Sequence, residues 1–422
     1  MASTVPYFFP VWRHGDRSPT TTFRADPFQE DSWTFGGGGW GQLSPLGMSQ
    51  HLKLGKMIRN RYVDTGNSTY NFLPSIYDQK TMHVRSTGLN RTLVSAMSNM
   101  LGMYGQDGNG NRAGTDYPEE SGWPRGFVPI PVHTVDYATD HIGNMDSDCP
   151  RREWLWNLAQ QSDEVTNWRN SANVSSVIDK LTSLVNETWD LENFWVVPDA
   201  LFIEQIYFNK SLQEKNSWFN QVFYNQIVDV NDQIYMFQYG IFDNPVKMQN
   251  MDIGLELLKV RSGPLMNDIV GRIKTKSDCA FGKQTTGCDW INPLKYFVYS
   301  AHDETVYAVL VALGIERFAI IPHGYPLYSA AVSIEYWRNS TDNSDYFKLV
   351  YHKEAGDGFN VMTSEINGCN GDYCSMDVLE QVANKLRTEL PAEEWCLVTQ
   401  GSLLTKKLGF VLVLVFSLVV FR

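Results

Sequence analysis

The sequence predicts an α/β fold: a mainly parallel open sheet with helices on both faces, carrying an inserted and mainly α-helical cap. Three stretches support that expectation. Tyr296 to Ser300 is a continuous apolar run, as expected of a central strand covered on both faces. Tyr7 to Trp12 is a second strand-like apolar run, and it breaks into a turn rich in Gly, Asp and Pro at Gly15, Asp16 and Pro19. From about Asp140 to Asp252 the texture changes, with Trp154, Trp156, Trp168, Trp189, Trp195 and Trp218 set among Asn, Gln and Glu and few glycines to break a helical period.

Length and charge bound the rest. A chain of 422 residues with 43% hydrophobic content can bury a large core, and its length suits two or three domains. The division expected is an α/β domain from 1–135 and 255–400, a helical cap at 136–254, and a hydrophobic tail at 401–422. The net charge of -12 argues against nucleic acid as a partner, because a phosphate backbone needs a basic face. Any basic pocket must therefore be local.

In chain order, the Tyr7 to Trp12 strand leads into the turn and then into a crossing that ends in Gly36 to Gly39. That run has neither GxGxxG nor Walker spacing and reads as a loop. A helix follows, with Ser44 as N-cap, Pro45 at its first position and Leu54, Met57 and Ile58 on one face. Lys80 to Arg85 reads as a short strand. Ser86 or Thr87 caps the next helix, in which Leu89, Leu93, Ala96, Met97, Met100 and Leu101 share a face. Val128 to Val135 reads as a further strand, and His133 and His141 as structural histidines. Beyond the cap, Leu255 to Val270 forms an amphipathic segment interrupted at Gly263-Pro264. Glu304 to Leu313 continues the Tyr296 strand as an apolar helix. Val332/Ile334/Tyr336 and Phe347/Leu349/Tyr351 alternate around Asn339, which signals a hairpin at the sheet edge.

The chemistry gathers at strand ends, where open α/β sheets bind ligands. Arg13, His14 and Arg17 lie in the first turn: two planar, permanently charged forks that match phosphate oxygens flank a potential nucleophile. Arg85 stands at a strand-to-helix junction, where guanidinium and helix dipole can act on one anion; a structural salt bridge is an equal alternative. His302 and Asp303 end the central strand. No metal-ligand spacing stands out, and no cofactor is expected.

These blocks resemble the histidine acid phosphatases. Arg13-His14-Gly15-Asp16-Arg17-Ser18-Pro19 is similar to the family signature, and the stretches Gly41 to His51, Val84 to Thr87 and Tyr299 to Asp303 resemble its later blocks in the same order. The likeness covers most of 7–135 and 255–400 and fades between. It implies a phosphoglycerate-mutase-like fold and hydrolysis of small phosphate monoesters. In the implied roles His14 is the nucleophile that becomes a phosphohistidine, Asp303 the proton donor, and Arg13, Arg17, Arg85 and His302 the phosphate ligands. It also implies a homodimer. Because Asp303 must be neutral to donate, activity is expected at low pH. One departure is Glu304, which follows Asp303 where the family has a small neutral residue.

Six cysteines allow about fifteen full pairings, which spacing alone leaves open. The resemblance implies Cys149 with Cys396 and Cys369 with Cys374, and Cys279 and Cys288 remain for each other by elimination. The sequons at Asn67, Asn90, Asn173, Asn186, Asn209 and Asn339, together with the cysteines, place the protein in the secretory pathway as a glycoprotein, lysosomal, secreted or at the cell surface. No entry signal is visible at Met1, so the expectation is a start that lies upstream. Leu408 to Phe421, behind Lys406-Lys407, suits an anchor signal or membrane attachment. The competing readings rank lower. A phytase or inositol-polyphosphate phosphatase should need more cap arginines than Arg151, Arg152 and Arg169. A phosphomutase fits the His-Asp pair less well. A non-catalytic recognition protein predicts a broken catalytic set, and a two-metal phosphatase a different ligand pattern.

Overall fold

The alternating side chains of the first strand set the architecture. In a computed structural model of the protein, which describes residues 3–64, 72–320 and 324–399, β1 (Ser3–Arg13) sends Tyr7, Phe9 and Val11 to one face of a sheet and Phe8 and Trp12 to the other. Both sets are essentially fully buried, so each face must be covered. The helices α1 (Pro45–Tyr62) and α2 (Asn90–Tyr104), on either side of β2 (Met82–Ser86), cover the Phe8 face through Leu54, Ile58, Ala96 and Met100. Their backbones approach so closely that a Cβ on Gly55 would lie 2.1 Å from the Asn99 carbonyl oxygen, so only glycine fits there. Ser44 caps α1 by accepting from the Gly47 N–H at 3.0 Å, as expected. The cap expected for α2 is not Ser86 or Thr87: that helix begins at Asn90, and the Thr87 hydroxyl is engaged with His302 instead.

The short β3 (His133–Thr134) follows. Its run was expected to start at Val128, but Pro129 and Pro131 lack the N–H that a ladder needs. Six helices come next: α3 (Pro150–Gln160), α4 (Asp163–Arg169), α5 (Ala172–Val185), α6 (Val196–Tyr207), α7 (Asn209–Lys215) and α8 (Gln221–Gln238). They share a hydrophobic core of their own that includes Trp156, Trp189, Leu201 and Ile227 and takes in Phe23, Phe28 and Trp33 from the crossing after β1. The small hairpin β4 (Lys247–Met248) and β5 (Met251–Asp252) leads into α9 (Ile253–Ala280). This helix runs through Pro264 without the expected interruption. Gly263 lets it press against the Leu386 carbonyl, which would lie 2.3 Å from an added Cβ.

After α10 (Cys288–Ile291) come the fully buried β6 (Tyr296–Ala301), α11 (Asp303–Ala312) and α12 (Glu316–Ala319). The chain ends, as far as it is described, with β7 (Ala331–Asn339), β8 (Asp345–His352), β9 (Asn360–Val361), β10 (Cys374–Ser375), α13 (Met376–Lys385) and α14 (Ala392–Trp395). The sheet order is β10-β8-β7-β1-β6-β2-β3, with β9 on β8. The half from β1 to β3 is parallel and the half from β7 outward antiparallel. The β7–β8 hairpin, expected at the edge, lies within the sheet because β7 pairs with β1 and β8 with β9 and β10.

Disulfides join Cys149 to Cys396, Cys279 to Cys288 and Cys369 to Cys374. Asn90, Asn173, Asn186 and Asn209 are exposed, whereas Asn339 is buried at the end of β7; Asn67 lies outside the described residues. Among the described residues no helix is long and apolar enough to cross a membrane, and the 401–422 tail is not among them.

Glu204 on α6 is an anomaly within the helical core. It is 0% exposed, and burial followed by the nearby Asp26 pushes its carboxyl up to about 10. An ordinary glutamate in the unfolded chain titrates near ~4.3, so between these values folding takes up a proton and stability falls as pH rises, by at most ~1.4 kcal/mol per pH unit. Thermal melts should therefore show lower stability at pH 8 than at pH 5, and Glu204→Gln should flatten that slope. An unchanged slope in the variant would show that Glu204 is not its source.

Candidate active site

The turn after β1 is built by close backbone contacts. An added Cβ on Gly15 would lie 2.4 Å from the Gly47 carbonyl oxygen, so the turn can sit on the first turn of α1 only without side chains. The Asp16 carbonyl accepts from Ser44 N–H at 2.9 Å, the Asp16 N–H donates to Gln50 Oε1 at 2.8 Å, and the Gly15 N–H donates to Ser95 Oγ at 3.1 Å. The Asp16 carboxylate accepts from Ser44 and Tyr207 hydroxyls, the latter from α6. Further bonds tie the turn to its neighbours: His14 N–H to the Ala301 carbonyl at 2.9 Å, and Ser329 N–H to the His14 carbonyl at 3.1 Å.

His14 is 1% exposed, and its Nδ1 lies 2.8 Å from the Gly15 carbonyl oxygen. A carbonyl only accepts, so the ring proton sits on Nδ1 and the lone pair is on Nε2. Burial, then the charges of Arg91, Arg17 and Arg13, push His14 well below the usual imidazole range, which keeps it neutral in acid. His302 stands 5.7 Å away between ring centroids, nearly perpendicular, with Nε2 at 2.9 Å from Thr87 Oγ1; burial and then the same arginines push it down too.

The guanidinium groups are held from different directions. Arg17 makes two 3.0 Å bonds to Asp199 of α6. Arg13 donates to the Pro326 carbonyl at 2.7 Å, lies 4.3 Å over the Tyr328 ring, and has Nη2 at 3.1 Å from Asp303 Oδ2. Arg91, in the first turn of α2, is lowered to about 10, first by burial and then by Arg17. The Nε atoms of Arg13, Arg17 and Arg91 are buried without a hydrogen-bond partner among the described residues. Three neighbouring cations with unpaired buried donors form an environment made for an anion.

Arg85, expected among them, is elsewhere. It is still inside β2, in register with Tyr299 and His133, so its side chain stands off the sheet face rather than rising past the strand end. There it pairs with buried Asp140 at 2.5 Å and lines a separate cavity beside Pro264 and Asn267. The salt bridge named as the alternative is the contact the structure shows. Arg91, which the sequence reading missed, takes the place by the imidazole. One local signal pointed to it: a cation in the first turn of a helix opposes the helix dipole and needs a nearby anion to be favourable.

His14, Arg17, Arg91, His302 and Asp303 share one cavity of about 720 Å³, and Arg13 lies just behind Asp303. Asp303 is the first residue of α11. Glu304 lines the same cavity rather than facing solvent, with its carboxyl raised by burial and then by Asp146 and Asp303. The helical layer supplies Asp199, Trp156, Trp195 and Tyr235 to the walls. No group of three or more His, Cys, Asp and Glu able to hold a metal occurs among the described residues.

A model of the histidine phosphatase superfamily (branch 2) matches residues 9–352. A putative acid phosphatase of Caenorhabditis elegans, "Putative acid phosphatase 10", is 34% identical over 380 residues, covering 89% of this chain and 90% of its own. The lysosomal acid phosphatase of Homo sapiens is 30% identical, with 80% and 71% covered. Among solved structures, the phytase of Citrobacter braakii superposes with a TM-score of 0.56 at 13% identity over 94% of this chain and 100% of that one, a likeness of fold.

Two arginine variants test the site without reference to turnover. Arg91→Gln should weaken binding of inorganic phosphate at least tenfold by calorimetry and raise the His14 pKa seen by ring NMR, because the largest cationic influence on the imidazole is gone. Arg85→Gln should change phosphate affinity less than threefold. The reverse order would return Arg85 to the site.

Proposed function

We propose, since the chain belongs to the histidine phosphatase superfamily (branch 2), that it is an acid phosphatase hydrolysing phosphate monoesters through a phosphohistidine on His14. The observation that carries this reading is an imidazole whose Nδ1 is bonded to the Gly15 carbonyl, which leaves Nε2 as the nucleophilic nitrogen, set among guanidinium groups with unpaired buried donors. Uncatalysed phosphate monoester hydrolysis is among the slowest reactions known, so charge stabilisation and nucleophile must act together.

In the first step His14 Nε2 attacks phosphorus in line as the bond to the ester oxygen breaks. Arg13, Arg17, Arg91 and His302 hold the equatorial oxygens, and Asp303 gives its proton to the departing alkoxide. In the second step water attacks phosphorus, the Asp303 carboxylate takes a proton from that water, and the N–P bond breaks to release inorganic phosphate. The place of Asp303 in the same cavity as His14 supports this role. Residues 136–254 act as a cap that shapes the leaving-group side, with 1–135 and 255–400 as the catalytic body. The three disulfides and the exposed sequons support a secretory, oxidising setting such as that of the lysosomal and prostatic relatives.

Labelling separates the two roles. His14→Ala should abolish both turnover and transfer of phosphate from substrate to protein. Asp303→Ala should still be labelled by an aryl phosphate with a good leaving group, while alkyl phosphates slow by about 10²- to 10⁴-fold. Equal loss on both esters would remove Asp303 as the leaving-group acid. The wild-type rate should be greatest at acid pH, where a carboxylic acid keeps its proton.

A further inference from the structure

Several charged side chains that the mechanism does not use line the same cavity, and four of them stand together: Asp146, Arg152, Arg261 and Glu304. They come from four parts of the chain, namely the loop before α3, α3 itself, α9 and α11. Arg261 Nη1 lies 3.3 Å from Asp146 Oδ1, and Arg152 Nη1 lies 3.9 Å from the same oxygen. Arg152 also donates to the Met145 and Ser147 carbonyls at 2.8 and 2.7 Å, and Arg261 stacks 4.9 Å from the Tyr239 ring centroid. Glu304 is held in place by Tyr239, whose hydroxyl donates to its backbone carbonyl at 2.8 Å. As the residue after Asp303, Glu304 puts the quartet next to the place where the ester is cleaved.

Two arginines one step from the phosphate subsite are what a second phosphate of a polyphosphorylated substrate would need. Here both already face the Asp146 carboxylate, and Arg152 is bonded to two carbonyls as well. We propose that Asp146 closes this second anion subsite by standing between the guanidinium groups of Arg152 and Arg261, with Glu304 beside it adding a further carboxyl, and so restricts the enzyme to monophosphate esters with non-anionic leaving groups. The inference rests on the phosphatase reading and deepens it. It also gives a physical reason why a fold shared with phytases need not carry their substrate preference.

The test compares kcat/KM for inositol hexakisphosphate with that for an aryl phosphate. Wild type should favour the aryl ester by at least about a hundredfold. Asp146→Ala, which removes the carboxylate the two arginines share, should raise the hexakisphosphate-to-aryl ratio by at least about tenfold, and adding Arg261→Gln should return it. Calorimetry with inositol hexakis sulfate, which needs no turnover, should show the same tightening in Asp146→Ala. A wild type that hydrolyses both substrates equally well, or a ratio and sulfate affinity unmoved in Asp146→Ala, overturns the closure. Loss of aryl phosphate hydrolysis in the wild type would instead overturn the phosphatase reading itself.

Discussion

Like charges buried together are the constraint on which the rest of the structure depends. Arg13, Arg17 and Arg91 crowd one buried imidazole, and each would be costly to bury unpaired. The fold offsets that cost with carboxylates placed beside the cations: Asp199 beside Arg17, and Asp303 beside Arg13. Arg91 has no such partner among the described residues, and its lowered pKa records the strain. The remaining positive potential is what an incoming phosphate dianion would neutralise, so the same electrostatics that weaken the empty site favour the occupied one.

This balance ties the helical layer to the sheet. Two contacts reach down from α6, one from Asp199 to Arg17 and the other from Tyr207 to Asp16. Both meet the turn after β1, which also rests on the first turn of α1 through the Gly15–Gly47 approach. The turn is therefore clamped from above and below. Preorganisation of this kind matters because donors that must move during the reaction lose part of their effect.

Chemistry encoded in contiguous residues was legible from the sequence. The turn residues Arg13, His14 and Arg17 and the pair His302 and Asp303 follow strands whose apolar runs are unambiguous, and the structure brings them into one site. The Ser44 cap and the apolar face of α1 were legible for the same reason: a helix start and a period of 3.6 are local signals. The proline-bearing run before β3 and the uninterrupted α9 were not, because neighbours across space decide whether a strand or helix tolerates a proline there.

The sequence by itself determined the order of strands that end in the candidate site's side chains and the kind of chemistry those side chains permit. Only the tertiary structure decided which arginine joins them. Arg85 and Arg91 are six positions apart, and the choice turns on whether the strand has ended, since a residue still in the ladder points off the sheet face while one in the next helix faces the cleft. It also decided the Asp199 clamp and the Asp146, Arg152, Arg261 and Glu304 quartet. These contacts join segments far apart in the chain, and no local pattern of residues carries the distance between them.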